Sequence, residues 1–404
     1  MFAEDPEGFR RETAAIIAAH GEEPVIASVN KTQWRLAMLR SGSGARERAA
    51  WISYEVDEGV HGHRDGMNIG LFANDLDLLP DLGYPPLQFG GWDTPQVRWY
   101  KLNSASHNTV VVDGKPHAVT AGVSTLWGVG RWVRVVRVSG PAITGGRQFE
   151  RTLVMVDTPS DDFYLVDVFR VVGGSDHAKF LRSNHGVATA SGLTLQPAED
   201  YGHDTIMRNF RTDPTPRQGW SVDWELRDGQ GVHFLYTDLT AGATASLAES
   251  WVTFGGYDST EAGWIPTVMT RRRGAEPLVS TFVAILQVYR GSPVAAACQR
   301  VPLVSPDGTA YPDSNVAIEV GLCGGYRDLL VLADSENPLA LAPRAGKLVQ
   351  PDARVETDAE VAVVRHDPGG RAIAIAANRG KALTVGGRMI ALGTTGGLFE
   401  TDLA

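Results

Sequence analysis

From about Thr32 onward, Gly, Asp, Asn and Pro divide the sequence into short runs of β-branched and aromatic residues. Such runs favour extended strands, and the residues between them favour tight turns. In residues 132–138, WVRVVRV, apolar and polar side chains alternate imperfectly with a period of two, as they do when one face of a strand is buried. The pattern predicts a mainly β fold of antiparallel stacked sheets, with no long helix within it.

The clearest strand predictions share a β-branched or aromatic core and a flanking turn residue. They cover residues 34–39, 50–56, 109–112, 132–138, 152–156, 163–172, 232–237, 281–289, 329–333, 361–364 and 372–376.

The first twenty residues differ from the rest because they carry helix punctuation. Asp5 can cap a helix that begins at Pro6, and Gly21 can end it. The apolar positions between them are Phe9, Ile16 and Ile17. We predict one helix over residues 6–20, either as a packing appendage or as the last piece of a larger helical unit.

Two turn-rich stretches predict domain boundaries, residues 192–218 and residues 337–358. The second separates a terminal part, rich in Gly and short strands, from the main sheets. We therefore divide the chain into residues 1–29 with the helix, residues 30–336 as the main β domain, and residues 337–404 as a smaller β subdomain. No internal repeat of solenoid or propeller length is found.

The formal net charge of −10 argues against nucleic acid or a membrane as a partner, because anionic surfaces attract concentrated Lys and Arg. A polyanionic ligand would need a locally basic cleft. Cys298 and Cys323 are too few for a disulfide framework or a thiolate metal cluster, although one bridge is possible. The amino terminus carries acids where a signal peptide needs positive charge, so the chain has no recognisable export signal and its compartment stays open.

Three neighbouring segments concentrate the polar residues that carry chemistry. They are residues 61–68, HGHRDGMN; residues 78–84, LLPDLGY; and residues 106–114, SHNTVVVDG. In an extended segment, positions two apart face the same side, so His61 and His63 can both face one cleft. Two imidazoles and one carboxylate form a ligand set that suits Zn²⁺, and Asp81 and His107 are available to complete it.

Spacing alone leaves other interpretations open. A His-x-His pair is frequently a hydrogen-bonded surface pair. Asp81 is a plausible turn residue, and His107 could cap a strand edge beside Asn108. A cupin-type metal enzyme also places His-x-His on β structure, but it would need a Glu a few residues after the pair, where this chain has Arg64 and Asp65.

Taken in order, the three segments resemble the zinc-site region of heparinase II/III-like polysaccharide lyases. Residues 151–156, RTLVMV, and residues 164–174, YLVDVFRVVGG, are similar to sheet segments of the same family, including its oligoalginate lyases. The resemblance covers roughly residues 30–290. It implies an antiparallel β super-sandwich, with the short amino-terminal helix as a remnant of an α/α toroid.

The resemblance also implies roles for individual residues. His63, Asp81 and His107 match the family's ligands for a mainly structural Zn²⁺, whose fourth position would be water. His61 matches a histidine that faces the substrate cleft beside the metal, and it is the one catalytic candidate in this chain. Asp65 and Asn68 are candidates for orienting the imidazoles, or for a simple turn around Gly66.

Three further side chains are candidates for substrate binding. Arg64 could hold an anionic sugar, and Tyr84 and Trp92 could offer stacking faces to it, although such residues are commonly surface or packing residues. The partner implied is a uronate-containing polysaccharide or oligosaccharide, alginate-like or heparan-like, that is cleaved by β-elimination.

In the family, the acid and base residues and the group that neutralises the uronate carboxylate lie on a helical toroid that precedes the sheets. His61 alone cannot fill these three roles. We therefore expect this chain alone to be a weak or inactive lyase, either as part of a longer protein or as one subunit of a split enzyme whose helical polypeptide is encoded upstream. Relatives act in the periplasm, outside the cell or in the cytoplasm, so the resemblance does not decide the compartment.

Two other functions remain open at this stage. One is a non-catalytic carbohydrate-binding or assembly module, in which zinc merely fixes a loop. The other is a uronate C5-epimerase, which abstracts the same proton but returns it instead of expelling a leaving group.

Overall fold

The computed structural model describes residues 5–21, 26–59, 61–82, 89–91, 93–227, 229–254, 259–339, 347–393 and 397–403. Within these ranges, 29 strands form five antiparallel sheets, and two α-helices accompany them. The predicted mainly β fold of antiparallel stacked sheets is confirmed.

The helices are α1 (Pro6–His20) and α2 (Pro95–Leu102). The strands of the first half are β1 (Val29–Lys31), β2 (Leu36–Ser41), β3 (Arg48–Ser53), β4 (Ile69–Ala73), β5 (Leu76–Asp77), β6 (Val110–Val112), β7 (Val123–Val129), β8 (Val133–Ser139), β9 (Gln148–Asp157), β10 (Phe163–Val172), β11 (Asp176–Arg182), β12 (Gly186–Ser191), β13 (Gln196–Pro197) and β14 (Met207–Asp213). Those of the second half are β15 (Trp220–Leu226), β16 (Val232–Asp238), β17 (Thr244–Thr253), β18 (Ala262–Arg273), β19 (Val279–Arg290), β20 (Ala295–Arg300), β21 (Val316–Leu322), β22 (Arg327–Leu332), β23 (Leu348–Gln350), β24 (Val355–Thr357), β25 (Val361–His366), β26 (Ala372–Asn378), β27 (Ala382–Val385), β28 (Arg388–Ala391) and β29 (Leu398–Asp402).

The strands form five sheets, numbered here from 1 to 5. Sheet 1 has the order β1-β2-β3-β4-β5, and sheet 2 the order β12-β15-β16-β19-β10-β9-β8-β7. Sheet 3 has the order β13-β14-β17-β18-β11-β6. Sheet 4 has the order β20-β21-β22-β25-β26-β29, and sheet 5 the order β23-β24-β27-β28.

Sheet 2 lies at the centre of the layers. One of its faces packs on sheets 1 and 3, through residues such as Phe149, Leu39 and Leu247. Its other face packs on sheet 4, and the far face of sheet 4 packs on sheet 5. A smaller apolar cluster joins α2 to the outer face of sheet 3. These stacked layers account for the short strands and frequent turns of the sequence.

The central strands β9 and β10 are buried on both faces, so their sequences lack clear alternation. All ten residues of β10 are buried, and its bounds coincide with the predicted strand over residues 163–172. Strands of this kind must pair any charge they contain, because an unpaired buried charge is strongly destabilising. Asp167 and Arg170 of β10 are both paired with neighbouring charges.

Helix α1 has the predicted bounds, and the Asp5 carboxylate accepts a hydrogen bond from the Gly8 amide at its start. None of its residues is buried, and Phe9 and Ile16 are 62% and 61% exposed. The apolar side chains of α1 are therefore not packed against any of the apolar clusters formed by the described residues.

The predicted loop regions contain strands. β13 and β14 lie within residues 192–218, where a loop was expected, because β14 carries exposed polar residues and a register shift between Arg208 and Arg211 that obscure its alternation. β23 and β24 likewise lie within residues 337–358. The predicted boundary at residue 337 falls between β22 and β25, which pair directly within sheet 4.

Among the described residues, no helix combines the length and the apolar character needed to cross a membrane. Cys298 and Cys323 are both free thiols, so the bridge that the sequence permits is not formed.

Candidate metal centre

The three predicted metal ligands come from separate connections around sheets 1 and 3. His63 lies on the loop that joins β3 to β4, and Asp81 follows β5. His107 ends a short helical turn immediately before β6, where its backbone amide donates to the Ser104 carbonyl. The fold thus brings together residues that are up to 44 positions apart in sequence.

The Asp81 carboxylate lies between the two imidazoles. Its Oδ1 is 3.1 Å from Nδ1 of His107, and its Oδ2 is 3.5 Å from Nδ1 of His63. One ligand atom from each residue lies within 4.8 Å of the others, and the two rings have centroids 5.3 Å apart. Both histidines are buried, whereas a third of the Asp81 side chain is exposed, so the cluster opens to solvent on the carboxylate side.

The charges of the cluster are coupled. Burial alone would raise the pKa of the Asp81 carboxyl, but hydrogen bonds from His107 and His63 outweigh it and hold that pKa far below its usual range. Burial would lower the pKa of His63, yet the Asp81 carboxylate outweighs it and raises that pKa. Nearby, burial raises the pKa of Asp65. The centre therefore holds an ionised carboxylate ready to face a cation.

The residues fit a bound metal ion on two observations. Two imidazole nitrogens and one carboxylate oxygen are the donor types that Zn²⁺ takes, with a further position left for water. In addition, Nε2 of His107 is buried and has no hydrogen-bond partner among the described residues, which is uncommon for a buried polar atom. A metal ion at this centre would supply the partner that Nε2 of His107 lacks among the described residues.

A buried arginine connects the loops that carry the two histidines. Nη1 of Arg151 donates to the backbone carbonyls of Met67, at 2.7 Å, and Asn108, at 2.6 Å. The same guanidinium makes two bonds of 2.8 Å to Asp167, whose other neighbour is the Lys179 ammonium at 2.7 Å. Because Arg151 belongs to β9 and Lys179 to β11, the core of sheets 2 and 3 fixes both loops.

Side chains of the loops complete this arrangement. Oδ1 of Asn68 accepts a hydrogen bond from the Asn108 amide at 2.9 Å, and the Thr109 hydroxyl donates to the Gly66 carbonyl at 2.6 Å. Oδ1 of Asn108 accepts from the amide of Arg182 at 2.9 Å. Asn68 therefore contacts the backbone immediately after His107. Of its two predicted roles, orienting an imidazole or forming a turn around Gly66, the described bonds show the turn, since the Asn68 amide donates to the Asp65 carbonyl at 2.8 Å.

Replacing Asn68 by Ala is expected to lower the free energy of unfolding by about 1–3 kcal/mol, because the buried Asn108 amide would lose its acceptor. Metal affinity should fall by about tenfold, because the backbone that places His107 would be freed. Denaturant unfolding and zinc titration would measure the two effects. Asn184→Ala is the control, since the half-buried Asn184 donates its side-chain amide to the Asp77 carbonyl where the bond is exposed to solvent; equal losses in both variants would contradict the prediction.

The remaining predicted site residues have different surroundings. His61 is exposed on the same loop as His63. Arg64 is mostly buried, and its guanidinium donates to Glu58 and to the backbone carbonyl of His117. Tyr84 and Trp92 lie outside the described residues. Arg64 is thus engaged within the protein before any ligand arrives, and its predicted contact with a sugar stays a prediction.

His117 is a neighbour of this centre that no sequence motif indicated. Its ring is buried under the loop of residues 61–68, and burial lowers its pKa to about 4. Nε2 lies 2.8 Å from the Val110 carbonyl, so this nitrogen carries the proton. Arg151 and Asp167 were likewise missed as support for the centre, because inside a continuous apolar strand nothing in the spacing relates them to His63 or His107.

The fold and this centre define a class: layered antiparallel β proteins with a His/Asp candidate metal site on the connections between sheets. A sequence model of the heparinase II/III-like, C-terminal family matches residues 54–273, which is more than half of the chain. The chain belongs to this family, as its sequence motifs predicted. No curated protein sequence matches it significantly.

Solved structures share the fold. A heparinase III, the BT4657 gene product, matches with a TM-score of 0.57 at 16% identity, over 78% of this chain and 44% of its own length. Heparan sulfate lyase HepC from Pedobacter heparinus matches with a TM-score of 0.57 at 15% identity, over 80% of this chain and 46% of its own. The chain therefore spans less than half the length of these relatives.

Proposed function

We propose that this chain is the metal-containing β portion of a polysaccharide lyase that cleaves a uronate-containing glycan, alginate-like or heparan-like, by β-elimination. His63, Asp81 and His107 would hold Zn²⁺. The observation that carries the proposal is that His63 and His107 both face the Asp81 carboxylate, in a chain that belongs to a family named for heparinases. The relatives named as heparinase III and heparan sulfate lyase support a polysaccharide substrate.

The proposed reaction sets three tasks. The carboxylate of the uronate must be neutralised so that its C5 proton can leave. A base then takes this proton, the electron pair forms the C4=C5 double bond, and the C4–O bond breaks as an acid protonates the leaving oxygen. Preformed cationic or hydrogen-bonding groups stabilise the charge that develops on the carboxylate.

His61 is the residue of this chain that we assign to the sugar. It is exposed and lies two positions from His63, so a fixed loop would hold it at the cleft. A bound Zn²⁺ would supply a structural cross-link between the loop of residues 61–68 and the turn at His107. Arg151 and Asn68 act from below by fixing the backbone of these segments.

We further propose that a helical polypeptide or domain supplies the remaining acid, base and neutralising groups. The exposed apolar side chains of α1 support this, because such a helix gains stability when a neighbour covers them. A partner that buries these side chains would bind without contacting the metal centre, so the two parts of the proposal can be tested separately.

The deciding experiment follows the ultraviolet absorbance of unsaturated uronate ends while the purified chain is mixed with alginate, heparan sulfate or hyaluronan. The chain is assayed alone and after mixing with the helical part of a family relative. We expect product only in the combined reaction, and a loss of that product after chelation and dialysis, with recovery when zinc is returned.

Three other results would each contradict part of the proposal. Product from the chain alone would show that its own residues supply acid and base. Glycan binding without product in any mixture would favour a carbohydrate-binding module. Exchange of the C5 proton for solvent deuterium without chain cleavage would favour a C5-epimerase.

A further inference from the structure

The most exposed large apolar side chain among the described residues is Trp34, at 73%. It lies in the four-residue turn, residues 32–35, that joins β1 to β2. An indole in this position has lost little contact with water, although burying it would stabilise the fold. Trp34 belongs to none of the apolar clusters of the core, and its exposed indole is available to contact a ligand.

The turn that carries Trp34 is fixed on both sides. The Trp34 amide donates to the Lys31 carbonyl at 2.9 Å, and the Arg35 guanidinium donates to the Thr32 carbonyl at 3.0 Å. The Arg35 carbonyl in turn accepts from the amide of Tyr54 at 2.8 Å. The indole is therefore presented by an ordered backbone, which limits the entropy that a ligand would remove on binding.

The turn lies at the same end of sheet 1 as the loop of the metal centre. Leu36, the first residue of β2, pairs with Ser53, the last residue of β3. Ile52 of β3 pairs with Ile69, the first residue of β4. The loop of residues 54–68, which carries His61 and His63, thus leaves the sheet where the Trp34 turn does, and Tyr54 joins the two by its bond to Arg35.

The chemistry of the turn favours a particular ligand. An indole face packs well against the apolar C–H face of a pyranose ring, and Lys31 and Arg35 flank it with positive charge. We propose that Trp34 is a stacking subsite for a sugar ring of a uronate-containing glycan, with Lys31 attracting the ring's carboxylate or a sulfate. This inference rests on the proposed function, because the same glycan would have to reach both this turn and the loop that carries His61.

The test is calorimetric titration of the purified chain with size-defined alginate and heparan sulfate oligosaccharides. Trp34→Ala should weaken binding of the preferred glycan by about tenfold, which corresponds to about 1.4 kcal/mol. Trp34→Phe, which keeps an aromatic face, should lose less than about threefold. Lys31→Gln should make the affinity less sensitive to added salt.

Met389→Ala is the matched control, because Met389 is similarly exposed, at 71%, on strand β28 of sheet 5. Its affinity should equal that of the unchanged chain, and the melting temperatures of all four variants should be unaltered. Equal affinity of Trp34→Ala and the unchanged chain would overturn the subsite while leaving the lyase proposal intact. Failure of the unchanged chain to bind either glycan would count against the proposed function itself and would remove the subsite with it.

Discussion

Replacing Asp167 by Asn is expected to lower the free energy of unfolding by about 3–5 kcal/mol, because it leaves two buried cations without their counter-ion. Arg151 and Lys179 flank this carboxylate, and the side chains of all three residues are at most 1% exposed. Asn keeps the shape of the side chain but removes its charge. Denaturant unfolding at neutral pH measures the loss.

An exposed ion pair provides the control for this variant. Asp402 forms a bond of 2.7 Å with Arg131, but both side chains are 69% exposed. Asp402→Asn should therefore cost less than about 1 kcal/mol. A similar loss in the two variants would contradict the view that burial, and not pairing as such, makes Asp167 important.

The Asp167 effect should depend on pH in a defined direction. Burial would raise the pKa of this carboxyl, but Arg151 and Lys179 outweigh it and hold the pKa well below its usual range. Because the folded-state pKa is the lower one, its contribution is present in full above the ordinary Asp pKa of about 3.9. As the pH falls below that value, the stability difference between the chain and Asp167→Asn should shrink.

Replacing His107 by Ala is expected to reduce zinc affinity by more than about 100-fold, since even residues that only support ligands change affinity by 10–100-fold. The zinc-dependent rise in melting temperature should then disappear at zinc concentrations that saturate the unchanged chain. Metal analysis of the purified protein and competition with a chromophoric chelator give the two readouts. Affinity should also fall in mild acid, because the imidazoles must lose their protons to bind a metal ion.

A second His–Asp pair serves as the control for metal binding. Nδ1 of His233 lies 3.2 Å from both carboxylate oxygens of Asp223, a pairing similar to that of His107 with Asp81. His233→Ala should leave zinc affinity unchanged, because no other histidine shares that carboxylate among the described contacts. Undiminished zinc binding by His107→Ala would reject the proposed ligand set.

The layered β fold could be predicted because most strands carry their own signal. β10 was predicted to the residue, since its apolar run is bounded by turn residues on both sides. β14 was not predicted because its burial is irregular, and the pairing of β22 with β25 could not be predicted because a long connection between strands leaves no local mark. Local propensity identifies strands more readily than it identifies their partners.

The three candidate ligands could be predicted from the sequence, whereas the residues that position them could not. His63, Asp81 and His107 occur within motifs, and the fold places them together. The contacts of Arg64 with His117 and of Arg151 with Met67 depend on how distant segments meet, which spacing does not encode. The exposed Trp34 was assigned to a strand from its aromatic character, whereas it lies in the turn before β2.

The Arg151 guanidinium bonds to both segments that carry the candidate histidine ligands, and these bonds bear on how the centre would assemble. Since the carbonyls of Met67 and Asn108 are anchored to an arginine of the sheet core, folding would bring the candidate ligands together before any ion binds. Much of the cost of ordering these two backbone segments is then met by the sheets, and a bound ion would add the cross-link between His63 and His107. Exchange of the ion should therefore proceed on a folded scaffold, unlike small zinc domains that unfold when stripped. A relative could lose one ligand and keep the architecture, so the centre is free to diverge while the layers persist.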